Sequence, residues 1–234
     1  MKAMQQILSE ENEGDNIKYS TVPFHSVNIP LRHTIQQNNW DCGLSCVAMV
    51  LSEKKLRYFN KNKDNIISEE EIGFSTWTID LAYLLKKFDV KFKYYTSTLG
   101  ICPIYYQHRY YTTDENRVKK KFENARRNEI MIHMKILHIY TLIHHLSDWG
   151  PIIILTNANL LTCDVCNKKE KESNSSLTVS YQGHYIVLTG YSFLTNHIFY
   201  KNPSRKHNIC RMPFIQLDKA RHSFGTDDDV ILIY

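Results

Sequence analysis

The chain lacks any long hydrophobic run. Apolar stretches such as Ile152–Leu155 and Val230–Tyr234 fall far short of the ~18 residues that a bilayer-crossing helix needs, so no membrane span is expected. The start, Met1–Asp15, is polar and acidic; without an apolar core segment it predicts no secretory signal. Glycine is scarce. The eight glycines make neither G-x-x-x-x-G-K-[S/T] nor G-x-G-x-x-G, the patterns whose backbone amides cradle nucleotide phosphates. A dominant charge is missing too: 29 Lys and Arg against 24 Asp and Glu leave a mild +5. The basic run Arg117, Lys119–Lys121, Arg126 and Arg127 reads as the solvated face of a helix, with an anion-binding surface as the sharper alternative; the mild balance argues for no clustered basic face, so no nucleic-acid partner is expected.

What is present is an ordinary globular composition, 43% hydrophobic and 23% charged over 234 residues, enough to bury a sizeable core. Six cysteines, at 42, 46, 102, 163, 166 and 210, read as reduced thiols of a protein in the cytoplasm or nucleus.

Along the chain, residues 1–25 read as a loose polar tail and 26–234 as one domain. Val27–Ile35 looks extended. Leu44, Val47, Ala48 and Leu51 recur at helical spacing after Asp41. Asn60–Gly73 is loop-like, with a short helix opening near Ser68. Thr78 is placed to cap a helix carrying Leu81, Leu84, Leu85 and Phe88 on one face, and a strand follows through Phe92 and Tyr94. Thr112 and Glu115 have capping-box spacing ahead of Val118, Phe122 and Ala125. Tyr140–Leu146 reads as a further helix. From Pro151 the period becomes strand-like, at Pro151–Thr156, His184–Ser192, His197–Tyr200 and Asp229–Tyr234. A Lys-, Glu-, Ser- and Asn-rich stretch at 166–180 looks inserted. Helices followed by strands, without βαβ alternation, predict an α+β fold with an antiparallel sheet.

The stretch richest in chemistry is Gln36-Gln37-Asn38-Asn39-Trp40-Asp41-Cys42-Gly43. It sets a cysteine at a helix start, where unpaired N–H groups and the positive dipole end lower a thiol pKa. Gly43 would let the backbone approach whatever meets the sulfur. Gln36, six residues upstream, can offer an amide to an oxyanion. Far downstream, Gly183-His184-Tyr185-Ile186-Val187-Leu188 puts a histidine at the head of an apolar strand, and Asn202 ends the next one, where it could orient the imidazole. The order Cys, His, Asn with a preceding Gln is that of papain-like enzymes. Taken singly, Cys42 and His184 also fit core positions. Trp40, Trp77 and Trp149 are expected in the core or in cleft walls, with Trp40 beside Cys42.

Several segments resemble one family: W-D-C-G-L-S-C at 40–46, W-T-I-D-L-A-Y-L-L at 77–85, L-L-T-C-D-V-C at 160–166, Y-Q-G-H-Y-I-V-L-T-G-Y at 181–191 and S-F-G-T-D-D-D-V at 223–230. They are similar to guanylyl cyclase domain-containing proteins, including plant members. The Q-x5-C-G element and the H-Y-I-V-L-T-G-Y strand also resemble C39 peptidases. The resemblance implies a papain-like, C39-like fold. It carries over Cys42, His184 and Asn202 as a triad and Gln36 as oxyanion donor. Peptidases of the wider group commonly show Asp where Asn202 stands; a neutral orienter holds the ring but stabilises imidazolium less.

Three functions follow as expectations. The first is a thiol hydrolase acting on a peptide or protein substrate without a cofactor. The second, which the family name implies, is a guanylyl cyclase needing GTP and Mg²⁺ or Mn²⁺. The third is a catalytically silent interaction module. For the cyclase the best carboxylates are Asp227–Asp229, which also suit a polar turn, and Asp80, which lies in a packing helix. Finally, Cys163-x-x-Cys166 with His207-x-x-Cys210 offers a candidate Cys3His zinc set, against ordinary thiols beside a loop.

Overall fold

The computed structural model describes residues 24–73, 75–100, 109–166 and 181–234. Nearly all of the N-terminal tail and of the 166–180 insertion therefore lies outside the described residues. In chain order the elements are β1 (Ser26–Asn28), α1 (Cys42–Val50), α2 (Glu53–Lys61), α3 (Lys63–Glu69), α4 (Thr78–Lys87), β2 (Phe92–Thr96), α5 (Arg109–Asn124), β3 (Ile132–Met134) and α6 (Ile139–Asp148). There follow β4 (Ile152–Asn157), a 3₁₀ turn at Ala158–Leu160, β5 (Gly183–Ser192), β6 (His197–Lys201), β7 (Cys210–Pro213), α7 (Phe214–Arg221) and β8 (Val230–Ile233).

Alternation along the central strands builds the layers. Ile153 of β4, Tyr185 and Val187 of β5, and Ile231 and Ile233 of β8 turn to one face, where they meet Leu44 and Val47 of α1 and Leu81, Leu84 and Leu85 of α4. Their neighbours Ile152, Ile154, Ile186, Leu188, Val230 and Leu232 turn to the other face, against Leu142, Ile143 and Leu146 of α6 and Leu217 of α7. A strand covered on both faces must be apolar at every position, not at every second one. That is why these segments read as short unbroken hydrophobic runs.

The sheet runs β3-β2-β8-β4-β5-β6-β7, with β1 also pairing β5. β5 is the axis: its first half pairs β4 from Gly183↔Asn157 to Leu188↔Ile152, and its last residues pair β1 on the same edge, Gly190 opposite Asn28. A Cβ on Gly190 would come within 2.0 Å of the Val27 carbonyl oxygen, so only glycine lets β1 close onto β5. The sheet is antiparallel except at its edge, where β2 and β3 are parallel.

Several expectations shift. Glu53–Lys61 and Phe214–Arg221 are helices, and Ile132–Met134 and Cys210–Pro213 strands, that periodicity alone did not mark. α5 is already helical at Arg109, so Thr112 lies inside it and is no cap. Trp77, one residue earlier than expected, precedes α4, its N–H donating to Asp80 Oδ2 at 2.9 Å. Trp40 and Trp77 pack half-buried against the core. Trp149 does not: it is 67% exposed at the end of α6, edge-on to Tyr234.

Candidate active site

Cys42 is the first residue of α1 and is buried. The loop before it is held by Asp41, whose fully buried carboxylate accepts from the Gln37 and Asn38 N–H groups at 3.1 and 2.9 Å. Lys63 Nζ supplies the compensating charge at 2.9 Å. Sequence reasoning gave Asp41 no part in the site. An acidic residue before a helix suggests an N-cap, whereas here the side chain turns back to fasten the upstream loop that carries Gln36. Gly43 also has another reason than the expected one. A Cβ there would meet Leu81 Cδ2 at 2.9 Å, Thr76 Cγ2 at 3.0 Å and Tyr185 Cδ2 at 3.1 Å. What approaches the backbone is the protein's own core.

The Cys42 sulfur accepts a hydrogen bond from the Tyr185 N–H, so it lies against the head of β5, one residue from His184. His184 Nε2 and Asn202 Oδ1 are 2.8 Å apart, both side chains buried. Asn202 Oδ1 also accepts from the Ser204 N–H at 2.9 Å and from Ser204 Oγ at 2.8 Å. The backbone donor identifies that atom as the amide oxygen, so His184 must present Nε2–H to it, which leaves the Nδ1 lone pair as the basic position. Among the described residues no hydrogen bond joins the thiol to this ring.

Gln36 reaches the same place. Its N–H donates to the Pro203 carbonyl at 2.9 Å, next to Asn202. Its amide nitrogen donates to the Asn38 carbonyl at 2.8 Å, while its Oε1 is buried without a partner. Gln36, Gly183, His184 and Asn202 line a cavity of about 420 Å³ together with Cys163 and Cys166. Trp40 packs instead against the core.

The electrostatics depart from the expectation of an acidic thiol. Burial pushes the Cys42 pKa up, and Asp41 adds to the rise, outweighing the N–H groups of Tyr185 and Gly43 that pull it down. Burial likewise lowers His184, against the Asn202 bond that favours the imidazolium. The resting pair is neutral thiol and neutral imidazole. Removing both groups from water costs more for the charged forms than one helix terminus returns.

Two of the carboxylates named for cyclase chemistry, Asp80 and Asp229, are engaged otherwise. Asp80 is fully buried, bonded to Arg117 at 2.5 Å and Lys121 at 2.7 Å. Asp229 is buried, accepts from Tyr94 Oη at 3.1 Å, and is pushed up to about 8 by burial first. Asp80 is spent on two cations, and burial holds the Asp229 carboxyl toward its protonated form, so neither is a free, exposed carboxylate.

Of the zinc candidates, Cys163, Cys166 and Cys210 converge, their sulfurs all within 4.8 Å of one another. His207 falls outside the group and is exposed, because the segment between β6 and β7 carries it into solvent.

A sheet covered on both faces, with a cysteine-headed helix lodged against a strand whose second residue is His184, is a papain-like α+β fold. A solved structure described as a C39-like peptidase from Bacillus anthracis shares it: TM-score 0.50 at 16% identity, covering 90% of this chain and 98% of that one. Xylellain, a cysteine protease from Xylella fastidiosa, aligns at TM-score 0.44 and 13% identity, over 91% of this chain and 86% of its own. In sequence, residues 31–233 match the family model described as guanylylate cyclase. The chain is 33% identical over 214 residues to Guanylyl cyclase 1 of Arabidopsis thaliana, covering 89% of this chain and 77% of that protein. The chain belongs to the guanylylate cyclase family.

Proposed function

We propose that the chain is a thiol hydrolase that cleaves peptide or protein substrates through an acyl-enzyme on Cys42. The observation that carries the reading is the buried His184–Asn202 pair at 2.8 Å, beside the strand residue whose N–H meets the Cys42 sulfur. In this mechanism the neutral His184 takes the thiol proton at Nδ1 as the sulfur attacks the substrate carbonyl. The Gln36 amide turns from the Asn38 carbonyl to the developing oxyanion. His184 then gives its proton to the leaving amine, and water, deprotonated by the same nitrogen, releases the acid. Asn202 keeps Nε2 as the donor throughout, a positioning role.

The family name directs attention to GTP, but Asp80 and Asp229 are engaged as described above, and no step is derived through a metal–triphosphate. The test is hydrolysis of a fluorogenic peptide library by the wild-type chain and by Cys42→Ala, His184→Ala and Asn202→Ala. The first two are expected to abolish cleavage and the third to leave a residue of it. Cleavage that survives Cys42→Ala sinks the proposal. So does divalent-dependent formation of cyclic GMP that survives the same change without any hydrolysis. A folded wild-type chain that cleaves nothing would favour an interaction module.

A further inference from the structure

We propose that Cys163, Cys166 and Cys210 form a zinc site of three thiolates at the rim of the cavity, its fourth coordination position open to solvent or a small donor. The inference concerns residues that the hydrolase reading leaves unused, and it stands whether or not Cys42 turns over.

Three observations carry it. The first is convergence across the fold. Cys163 and Cys166 lie on the turn after the 3₁₀ segment, and Cys210 begins β7, yet the three sulfurs fall within 4.8 Å of one another. Cys166 and Cys210 are 3.7 Å apart and all three are free thiols. Zinc–sulfur bonds of ~2.3 Å in a tetrahedron place neighbouring sulfurs about 3.8 Å apart, so little movement would close the site.

The second is how the turn is wound. Residues 164–166 curl back on the first cysteine; the Cys166 N–H points at Cys163 Sγ at 3.4 Å, and the N–H groups of Val165 and Arg211 are aimed at the same atom. Apolar packing of a thiol needs no such donors. A metal-bound thiolate does, because its remaining lone pairs are otherwise left bare in a low-dielectric site.

The third is the framing. The Asp164 N–H donates to the Arg211 carbonyl at 3.2 Å, clamping the turn to β7, and Tyr200 Oη donates to the Thr162 carbonyl at 2.7 Å. Cys163 and Cys210 are buried in the apolar cluster with Met212 and Leu217, while Cys166 is half-buried. Three thiolates around a divalent ion leave one negative charge, and Arg205 lines the same cavity. Since Cys163 and Cys166 both face that cavity, the remaining position opens toward it. This is the arrangement of a site that keeps one exchangeable ligand.

The experiment is metal analysis of the full chain purified without chelator, with thiol counting on the same sample. About one zinc per chain is expected in the wild type and in Cys42→Ser, and a loss of at least tenfold in Cys166→Ser and Cys210→Ser. Because Cys210→Ser puts a hydroxyl into the buried core, the wild-type chain is also stripped with chelator and titrated with Co²⁺. The expected result is a thiolate-to-cobalt charge-transfer band saturating at one equivalent, displaced by Zn²⁺. A folded stripped chain that gives no such band overturns the proposal, as does zinc content indifferent to Cys166→Ser. A Cys166–Cys210 disulfide in the freshly purified protein overturns it in favour of a redox pair.

Discussion

Beneath Cys42 lies a buried polar network whose behaviour with pH can be worked out in advance. Asp229, at the edge of β8, accepts from Tyr94 Oη at 3.1 Å and is bonded by the side chains of Thr78 and Thr96. Thr78 Oγ1 in turn lies 2.8 Å from Tyr185 Oη, and the backbone of Tyr185 bonds the Cys42 sulfur. Burial, reinforced by Asp227, carries the Asp229 carboxyl from an ordinary 3.8 to about 8. The folded chain therefore holds a proton there across a range in which the unfolded chain has released it. Stability from this group is fully present below 3.8 and is lost as pH rises through about 8. At ~1.36 kcal/mol per pH unit the ceiling is about 6 kcal/mol. Asp229→Asn keeps the shape and cannot ionise. Urea unfolding of both chains from pH 5 to 9 should show the wild type losing stability relative to the variant by about 4 kcal/mol between pH 5 and 8. Curves that run parallel over that span would refute the argument, as would a carboxyl carbon resonance of Asp229 titrating near 4.

Other perturbations separate the forces at the site. Alkylation of Cys42 by iodoacetamide is expected to rise only on the alkaline side of a free thiol, because burial raises its pKa; His184→Ala should leave that profile unmoved. An acidic profile that the histidine change abolishes would mean an ion pair instead. Gly43→Ala should cost about 1–3 kcal/mol through overpacking against Leu81, Thr76 and Tyr185, despite alanine's better helix propensity, and an unchanged melting temperature would contradict it. Asp80→Asn leaves Arg117 and Lys121 without their shared carboxylate and should lower stability by about 3–5 kcal/mol, read from the urea midpoint; a shift below about 1 kcal/mol would show that the remaining partners suffice.

Much was legible in the order of residues alone. The spacing of Leu44, Val47 and Ala48 is a property of one helix, and the runs at 152–155 and 230–234 belong to strands buried on both faces, so local pattern carries them. The pairing of His184 with Asn202 was also readable, since adjacent antiparallel strands β5 and β6 bring the start of one near the end of the other. Short elements escaped. β3 is three residues at a sheet edge, with Met134 exposed, and so shows no alternation. α7 buries Leu217, Ala220 and Arg221 in a segment whose apolar and polar residues are not segregated by face.

The sequence by itself determined the fold class, the family, and the pairing of His184 with Asn202. Only the tertiary structure decided the charge of Cys42 and His184. A helix terminus acts on a thiol locally, but desolvation depends on everything packed around it, and here the surrounding core prevails. It also decided that Asp41 fastens the loop, that Gly43 serves packing, and that Cys210 joins Cys163 and Cys166 while His207 does not. The last two, and the Lys63 charge that offsets Asp41, depend on residues that are distant along the chain and adjacent in space, a relation that no spacing in the sequence encodes.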